Sequence, residues 1–272
     1  MSSFRQSIPS MGYGTWNRSG DEAYAGVSDA IELGYRHIDT AQAYANEKEV
    51  GAAIQASGIS REAVFITTKV DPVNFAPNCV KPSVEKSLAD LQVEQVDLLL
   101  LHFPSLHDEY QAQDYISQLG EAYEAGYAKY VGVSNFTRVY LDTAIDVLGR
   151  DAIVNNQIEI HAYMQNKPIV YYCKQLGIST TAYSPLARGA LINDTVLCQI
   201  AENHSASSGQ IALAFLLAEG HIVIPSSTNK WRSQQNLAST DIHLSKQEIL
   251  AIRKLERGLR LVDEDWCPQW DV

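Results

Sequence analysis

VFITTKV (64–70) and DLLLLH (97–102) are the stretches of sequence that decide the fold. Each is a nearly continuous run of apolar and β-branched residues, as expected for a strand covered on both faces. Between them, residues 83–91 have the spacing of an amphipathic helix. A buried strand, a helix and a second buried strand form a βαβ unit, so these residues predict a parallel sheet.

The same alternation extends along the whole chain. Helical spacing recurs over residues 21–33, 208–217 and 245–255. The last of these helices begins with a capping box, in which Ser245 is the N-cap and Glu248 follows three residues later. The predicted strands are Gly12–Thr15, Arg36–Asp39, Val64–Val70, Asp97–His102, Tyr130–Ser134, Ile153–Glu159, Ser179–Tyr183 and His221–Pro225.

Two α/β folds are compatible with this alternation. A doubly wound sheet would bind a nucleotide at its topological switch point, whereas a closed (β/α)8 barrel would carry its site at the carboxyl ends of the strands. The chain has no Pro-, Gly- or Ser-rich linker and no shift in composition. We therefore expect residues 1–272 to form one domain, a single (β/α)8 TIM barrel.

Composition excludes several classes of protein. Hydrophobic residues make up 46% of the 272 residues, which argues against disorder. The net charge of −11 makes nucleic acid an improbable partner, because an acidic surface repels phosphate. The four cysteines are scattered without a C-x-x-C pair, which argues against a zinc ribbon and against a disulfide framework.

The location of the protein in the cell and its oligomeric state are predicted mainly from signals that the sequence lacks. The amino terminus, MSSFRQSIPSMGYG, lacks the apolar segment of a signal peptide. The strongest apolar run, Leu98–Leu101, is far shorter than a membrane-spanning helix. We expect a cytoplasmic protein with no membrane partner, and a monomer, since no dedicated interface is apparent in the sequence.

Ionisable residues close three consecutive predicted strands: Asp39, Lys69 and His102, with Tyr44 in the loop after Asp39. Each alone has an ordinary structural explanation, such as a helix cap or a packed core histidine. Together they are costly to bury unless paired. An ammonium beside a phenol lowers its pKa, and such a tyrosine can donate a proton to a developing alkoxide while histidine orients the carbonyl. The set therefore predicts carbonyl reduction.

The segment GYRHIDTAQAYANEKEVG (34–51) resembles the signature of the aldo-keto reductases. VFITTKV, DLLLLHFP, YVGVSNF, VNNQIEIHAYMQ, TAYSPLARG and IPSSTNKWRSQQNL follow in the order of the family's motifs. The resemblance implies a (β/α)8 barrel that reduces aldehydes and ketones with NADPH, with NADH as a weaker alternative. It implies that Tyr44 is the general acid, that Asp39 and Lys69 lower its pKa, and that His102 orients the substrate. It points to small dicarbonyl substrates of the methylglyoxal or 2,5-diketo-D-gluconate type.

A phosphate site is predicted after the last strand. The Gly-rich dinucleotide fingerprint is missing, because Asn17 stands where GYGTWN needs its third glycine. The loop PSSTNKWRSQQN offers hydroxyls and an arginine that can hold a phosphate, although it also reads as an ordinary polar loop. The resemblance assigns Ser227, Thr228 and Arg232 to the 2′-phosphate of NADPH, places Ser226 beside that phosphate, and assigns Gln235 and Asn236 to the adenine. Many relatives have lysine where this chain has Ser226, which weakens the expected preference for NADPH.

The ends of three other strands can hold a nicotinamide. Ser134, Asn135 and Gln157 can bond to a carboxamide, and Tyr183 can stack on an aromatic ring, although helix capping and packing explain them too. The resemblance assigns these residues to the nicotinamide, and Ser184 and Leu186 to the pyrophosphate.

The substrate pocket is predicted to be bounded by Trp16, Phe103 and Trp266. Trp266 and Trp270 can either cover the mouth or fasten the tail to the barrel. Asp71 occupies a position where many relatives have tryptophan, and we expect its charge to disfavour anionic substrates.

Two other functions are compatible with an α/β barrel. A metal-dependent barrel hydrolase needs a pair of histidines on a first strand, and here that place has His37 and Asp39 without a second histidine-rich strand end. We therefore expect no metal. A non-catalytic barrel that binds NADPH as a sensor or scaffold would not need the four catalytic residue types, all of which are present.

Overall fold

A computed structural model describes residues 8–271. Its strands are all parallel and lie in one eight-stranded sheet, in which each strand pairs with the next along the chain. The strands are β1 (Tyr13–Gly14), β2 (His37–Asp39), β3 (Phe65–Val70), β4 (Val96–Leu101), β5 (Ala128–Ser134), β6 (Ile153–Glu159), β7 (Ser179–Tyr183) and β8 (Ile222–Val223).

Helices connect the strands. One helix follows each of the first six strands, two lie between β7 and β8, and two follow β8. They are α1 (Gly20–Leu33), α2 (Glu47–Ala56), α3 (Val80–Leu91), α4 (Ala112–Glu124), α5 (Arg138–Leu148), α6 (Lys167–Leu176), α7 (Thr195–Asn203), α8 (Ser208–Ala218), α9 (Lys230–Ala238) and α10 (Lys246–Arg253).

The order of the strands excludes the doubly wound alternative, because that fold does not place its strands in sequence order. The sheet curls, and hydrogen bonds connect its first and last strands. The amide of Gly12 donates to the carbonyl of Val223 at 2.8 Å, and the amide of Gly14 donates to that of Pro225 at 3.0 Å. A Cβ at Gly14 would lie 2.8 Å from the backbone oxygen of Ile224, so only glycine permits this approach.

All eight predicted strands are present, although β1 and β8 are two residues long rather than the four and five predicted. The capping box of α10 is also confirmed. The amide of Glu248 donates to the Ser245 hydroxyl at 3.3 Å, and the Glu248 carboxylate accepts from the amide of Ser245 at 2.7 Å. Helix α3 begins at Val80, three residues before the predicted start.

The strands are buried on both faces, as continuous apolar runs require. The main core joins the strands to the inner faces of the helices, as Val27 of α1, Leu99 of β4 and Leu141 of α5 illustrate. All four cysteines are free thiols. Within residues 8–271, no helix has both the length and the apolar character needed to cross a membrane.

Candidate active site

The carboxyl edge of the sheet brings the predicted catalytic residues together. Asp39 is the last residue of β2, Lys69 is next to last in β3, and His102 directly follows β4. These strands are neighbours, so their ends lie side by side. Tyr44 ends a short 3₁₀ helix, Gln42–Tyr44, which returns the chain over the end of β3.

Lys69 is completely buried, and its ammonium uses all three donors. Nζ donates to Oδ1 of Asp39 at 2.6 Å, to the carbonyl oxygen of Thr40 at 2.8 Å and to the hydroxyl oxygen of Tyr44 at 3.2 Å. The other carboxylate oxygen of Asp39 accepts from Nε2 of Gln157 at 2.7 Å. The buried pair is therefore fully hydrogen-bonded, and it aims one N–H at the phenol.

The pKa values of Lys69 and Tyr44 follow from this arrangement. Burial lowers the pKa of Lys69, but the opposing effects of Asp39 and Tyr44 outweigh it, and the pKa is raised above 10.5. Burial raises the pKa of Tyr44 above 10.0, and the lowering effect of Lys69 does not overcome it. The expected lowering by Lys69 is therefore present, but Asp39, which was expected to lower this pKa, raises it. The net shift is upward, opposite to the expectation, and the phenol stays protonated beside a charged lysine.

The ring of His102 faces the ring of Tyr44 edge-on, with centroids 5.5 Å apart. Burial, followed by the nearby charge of Lys69, holds the pKa of His102 well below 6.5. The imidazole is therefore neutral at physiological pH. Its Nδ1 is buried and has no hydrogen-bond partner within residues 8–271.

The predicted nicotinamide residues form one connected group. The Tyr183 hydroxyl donates to Oδ1 of Asn135 at 2.9 Å, and Nδ2 of Asn135 donates to the Ser134 hydroxyl at 3.0 Å. Ser134 in turn donates to the backbone oxygen of Gln157 at 2.8 Å. Asn135 and Ser184 both have left-handed backbones, with φ of 61° and 47°. Strain of this kind is often found where backbone and side chain are positioned for a ligand.

A cavity of about 760 Å³ lies over these strand ends. It brings together most of the predicted site residues, while Lys69 lies behind its wall. Those that line it are Trp16, Asp39, Tyr44, His102, Phe103, Ser134, Asn135, Gln157, Tyr183, Ser184, Leu186, Ser226 and Trp266.

Of the predicted phosphate residues, Ser226 lines this cavity, whereas Ser227, Thr228 and Arg232 lie outside it. Thr228 lines a neighbouring cavity of about 570 Å³, and the Ser227 hydroxyl donates to the backbone oxygen of Asn229 at 3.3 Å. Arg232, Gln235 and Asn236 lie on α9, where Arg232 is exposed and Asn236 is buried.

The two tryptophans of the tail have different surroundings. Trp266 contacts Phe103 edge-on, with ring centroids 4.9 Å apart, and both line the cavity. Trp270 instead donates from Nε1 to Asp263 at 2.8 Å and stacks under the guanidinium of Arg260. Trp266 thus lines the cavity, whereas both contacts of Trp270 lie within the tail itself.

Several lining residues were not predicted from the sequence. Arg18 donates to the Ser226 hydroxyl at 3.3 Å, and Arg188 stacks on Trp16 at 4.9 Å. Both arginines follow strand ends, in TWNR and SPLAR, which is a usable sequence signal. Leu261 and Glu264 also line the cavity, but the tail has no regular pattern that predicts this.

Comparisons with known proteins show the family of this chain. The aldo/keto reductase family model matches residues 10–257. The methylglyoxal reductase DkgB of Escherichia coli O157:H7 is 40% identical over 265 residues, which cover 97% of this chain and 99% of that protein.

Solved structures of other proteins are also similar to this chain. A protein provisionally named 2,5-diketo-D-gluconic acid reductase B superimposes with a TM-score of 0.93 at 37% identity, over 97% of this chain and 94% of the other. The aldose reductase of Schistosoma japonicum superimposes with a TM-score of 0.89 at 30% identity, over 96% and 95%.

The chain therefore belongs to the aldo/keto reductase family. It is an oxidoreductase that reduces carbonyl groups, and the family uses NAD(P)H. Within residues 8–271, no three His, Cys, Asp or Glu side chains lie together as a metal site.

Proposed function

We propose that the protein reduces small neutral aldehydes, ketones and dicarbonyls such as methylglyoxal with NADPH, and that Tyr44 is the general acid. The observation that carries this proposal is the contact of one buried ammonium, on Lys69, with both Asp39 and the Tyr44 hydroxyl at the wall of the cavity. We further propose that residues 1–272 form one closed (β/α)8 barrel, monomeric and cytoplasmic. The bonds from Gly12 and Gly14 to Val223 and Pro225 support closure.

The cavity offers suitable groups for a nicotinamide cofactor. Ser134, Asn135 and Gln157 present hydroxyl and amide groups at one end of it, and Tyr183 lies beside them. The guanidinium of Arg232 has no hydrogen-bond partner within residues 8–271, which leaves it free for a phosphate. Bound NADPH would supply the hydride. The 2′-phosphate would contact Ser226, Ser227, Thr228 and Arg232, the pyrophosphate Ser184 and Leu186, and the adenine Gln235 and Asn236.

Tyr44 supplies the proton. Its raised pKa keeps the phenol protonated at neutral pH, ready to donate to the oxygen of a carbonyl group. As the proton leaves, negative charge develops on the phenol oxygen, 3.2 Å from the Lys69 ammonium. Lys69 is fixed by Asp39 before the reaction, so stabilisation of the phenolate needs no reorganisation.

His102 positions the carbonyl. Because its pKa lies well below 6.5, the neutral ring can donate one hydrogen bond to the carbonyl oxygen without competing as an acid. Its edge-on contact with Tyr44 places both donors on the same side of the cavity.

The charges around the substrate side favour neutral carbonyl compounds. Asp71 and Glu264 line the cavity there, together with apolar Pro72, Phe103 and Trp266. Arg18 bonds Ser226, and Arg188 stacks on Trp16. Where it approaches Asp71 and Glu264, a substrate carboxylate would meet charges of the same sign.

A second candidate substrate is 2,5-diketo-D-gluconate, which the name of a structural relative suggests. It carries a carboxylate, and the two acidic residues disfavour it. We expect kcat/KM to be higher for methylglyoxal than for this anion. Asp71→Asn should reduce the difference by raising kcat/KM for the anion alone.

The test is NADPH oxidation by the purified protein with methylglyoxal, 4-nitrobenzaldehyde and 2,5-diketo-D-gluconate, repeated with NADH. The proposal predicts turnover of the neutral substrates, faster with NADPH. Binding of NADPH without turnover of any carbonyl compound would instead support the sensor or scaffold alternative. Light scattering on the same sample tests the monomer.

A further inference from the structure

Glu159, the last residue of β6, is a buried carboxylate that the proposed chemistry does not use. Its side chain is fully enclosed. Oε1 accepts from the amide of Leu261 at 2.8 Å, and Oε2 accepts from the amide of Val262 at 3.0 Å. Both donors belong to the C-terminal tail, residues 256–271, which is distant from β6 in sequence.

A third donor completes the arrangement. Nε2 of His161, also fully buried, lies 3.0 Å from Oε1 of Glu159. Three nitrogen atoms thus face the two oxygens of Glu159. A carboxylate only accepts hydrogen bonds, so it can pair with all three of these nitrogen atoms. A buried carboxylate is costly unless it is bonded in this way, so the tail and Glu159 depend on each other.

The loop between β6 and α6 reinforces the attachment. The backbone oxygen of Tyr163 accepts from the amides of Arg257 and Leu259, at 3.2 and 3.1 Å. The Asn166 side chain donates to the backbone of Glu159 at 2.9 Å and accepts from Arg260 at 3.1 Å. The tail is therefore held along its length, and Glu159 holds the part that reaches the cavity.

The residues that follow this attachment reach the substrate side. Leu261 and Val262 line the cavity beside the anchored amides, and Trp266 follows four residues later. Trp266 packs edge-on against Phe103, whose ring lies 5.6 Å from that of His102. A short path of contacts thus connects Glu159 to the proposed carbonyl site.

We propose that Glu159 is a positioning residue: it holds the tail over the cavity and thereby sets the affinity for substrates large enough to contact Trp266. The kinetic part of this inference rests on the proposed carbonyl reduction, whereas the attachment of the tail does not. A small dicarbonyl that does not reach Trp266 depends on Tyr44 and His102 and is insensitive to the anchor.

Glu159→Gln tests the anchor with little change of shape. The amide keeps one acceptor oxygen and places an NH₂ group opposite a backbone N–H, so one tail bond is lost. Hydrogen exchange followed by mass spectrometry should show roughly tenfold faster exchange in peptides that cover residues 259–271. Peptides from β3 and β4 should be unchanged.

Asp97→Asn is the matched control. Asp97 is another buried carboxylate that accepts from a backbone amide, that of Ile66 at 2.9 Å, but it bonds Arg61 and Lys129 rather than the tail. This variant should lower overall stability without faster exchange in residues 259–271. Equal acceleration in both variants would mean general loosening and would overturn the inference.

Kinetics test the consequence. Glu159→Gln should raise the KM for 4-nitrobenzaldehyde roughly tenfold with kcat little changed, while the KM for methylglyoxal stays within about twofold. Trp266→Ala should give the same pattern with β6 intact, and Glu159→Asp should restore part of the affinity. Faster tail exchange with unchanged KM for the aromatic substrate would overturn the positioning role. If the wild type did not reduce carbonyl compounds, the proposed function would be wrong. The hydrogen-exchange result would still test the attachment of the tail to Glu159.

Discussion

Nζ of Lys69 lies 2.6 Å from Oδ1 of Asp39, at a place where the lysine side chain is 0% and the aspartate 1% exposed. Burial of two such charges is tolerated because each is neutralised by the other and further hydrogen-bonded, the aspartate by Gln157 and the lysine by Thr40. The third donor of the lysine points to Tyr44. The pair therefore has both a structural and a chemical consequence.

Loss of one partner should destabilise the fold as well as remove activity. Lys69→Met leaves Asp39 charged and buried, and we expect the free energy of unfolding to fall by about 3–5 kcal/mol. Urea unfolding measures it. The double variant Asp39→Asn/Lys69→Met removes both charges and should recover much of this loss without recovering activity. A double variant less stable than Lys69→Met would contradict the account of the pair.

Reduction should not depend on a titration of His102 near neutral pH. A group whose pKa is depressed in the folded protein keeps its neutral form as the pH falls through its ordinary value, and the pKa of His102 lies well below 6.5. We expect kcat/KM for methylglyoxal to stay constant between about pH 8 and about pH 6. A loss with a midpoint near the ordinary histidine value, removed by His102→Asn, would contradict a neutral His102.

Selectivity for NADPH should depend on Arg232. Its exposed guanidinium is free within residues 8–271, whereas Lys230 on the same helix is paired with Asp29 and Glu32 at 3.1 and 2.7 Å. Arg232→Ala should raise the KM for NADPH about tenfold to a hundredfold and leave that for NADH unchanged. Lys230→Ala is the control and should change neither. Equal effects on both cofactors would argue against a 2′-phosphate contact.

Much of the fold could be predicted because the strands are covered on both faces. VFITTKV and DLLLLH are nearly continuous runs of apolar and β-branched residues. Accordingly, β3 differs from its predicted bounds by one residue at its start, and β4 differs by one residue at each end. The strands β1 and β8 are shorter than predicted because their neighbouring residues form isolated contacts rather than a continuous ladder, as the single bonds of Gly12 to Val223 and of Gly14 to Pro225 illustrate. The periodicity of the sequence does not show where a continuous ladder of hydrogen bonds stops.

The catalytic cluster could be predicted from its position at consecutive strand ends, since parallel strands place their carboxyl ends together. The pKa of Tyr44 could not, because burial and the charge of Lys69 oppose each other and their balance depends on the depth of the side chain. The contact of Glu159 with Leu261 and Val262 could not be predicted from the sequence either, because it joins residues about one hundred positions apart.

Tyr44→Phe tests the central claim most directly, since it removes only the hydroxyl group whose proton the phenol would donate. The hydroxyl bonds Lys69, which keeps Asp39 and Thr40 as partners, so the fold should be retained. The measurement is the rate of NADPH oxidation with methylglyoxal, beside NADPH binding to the same variant. We predict a rate about 10²–10⁴-fold lower with cofactor affinity unchanged. A rate near that of the wild type would contradict the role of Tyr44 as the general acid.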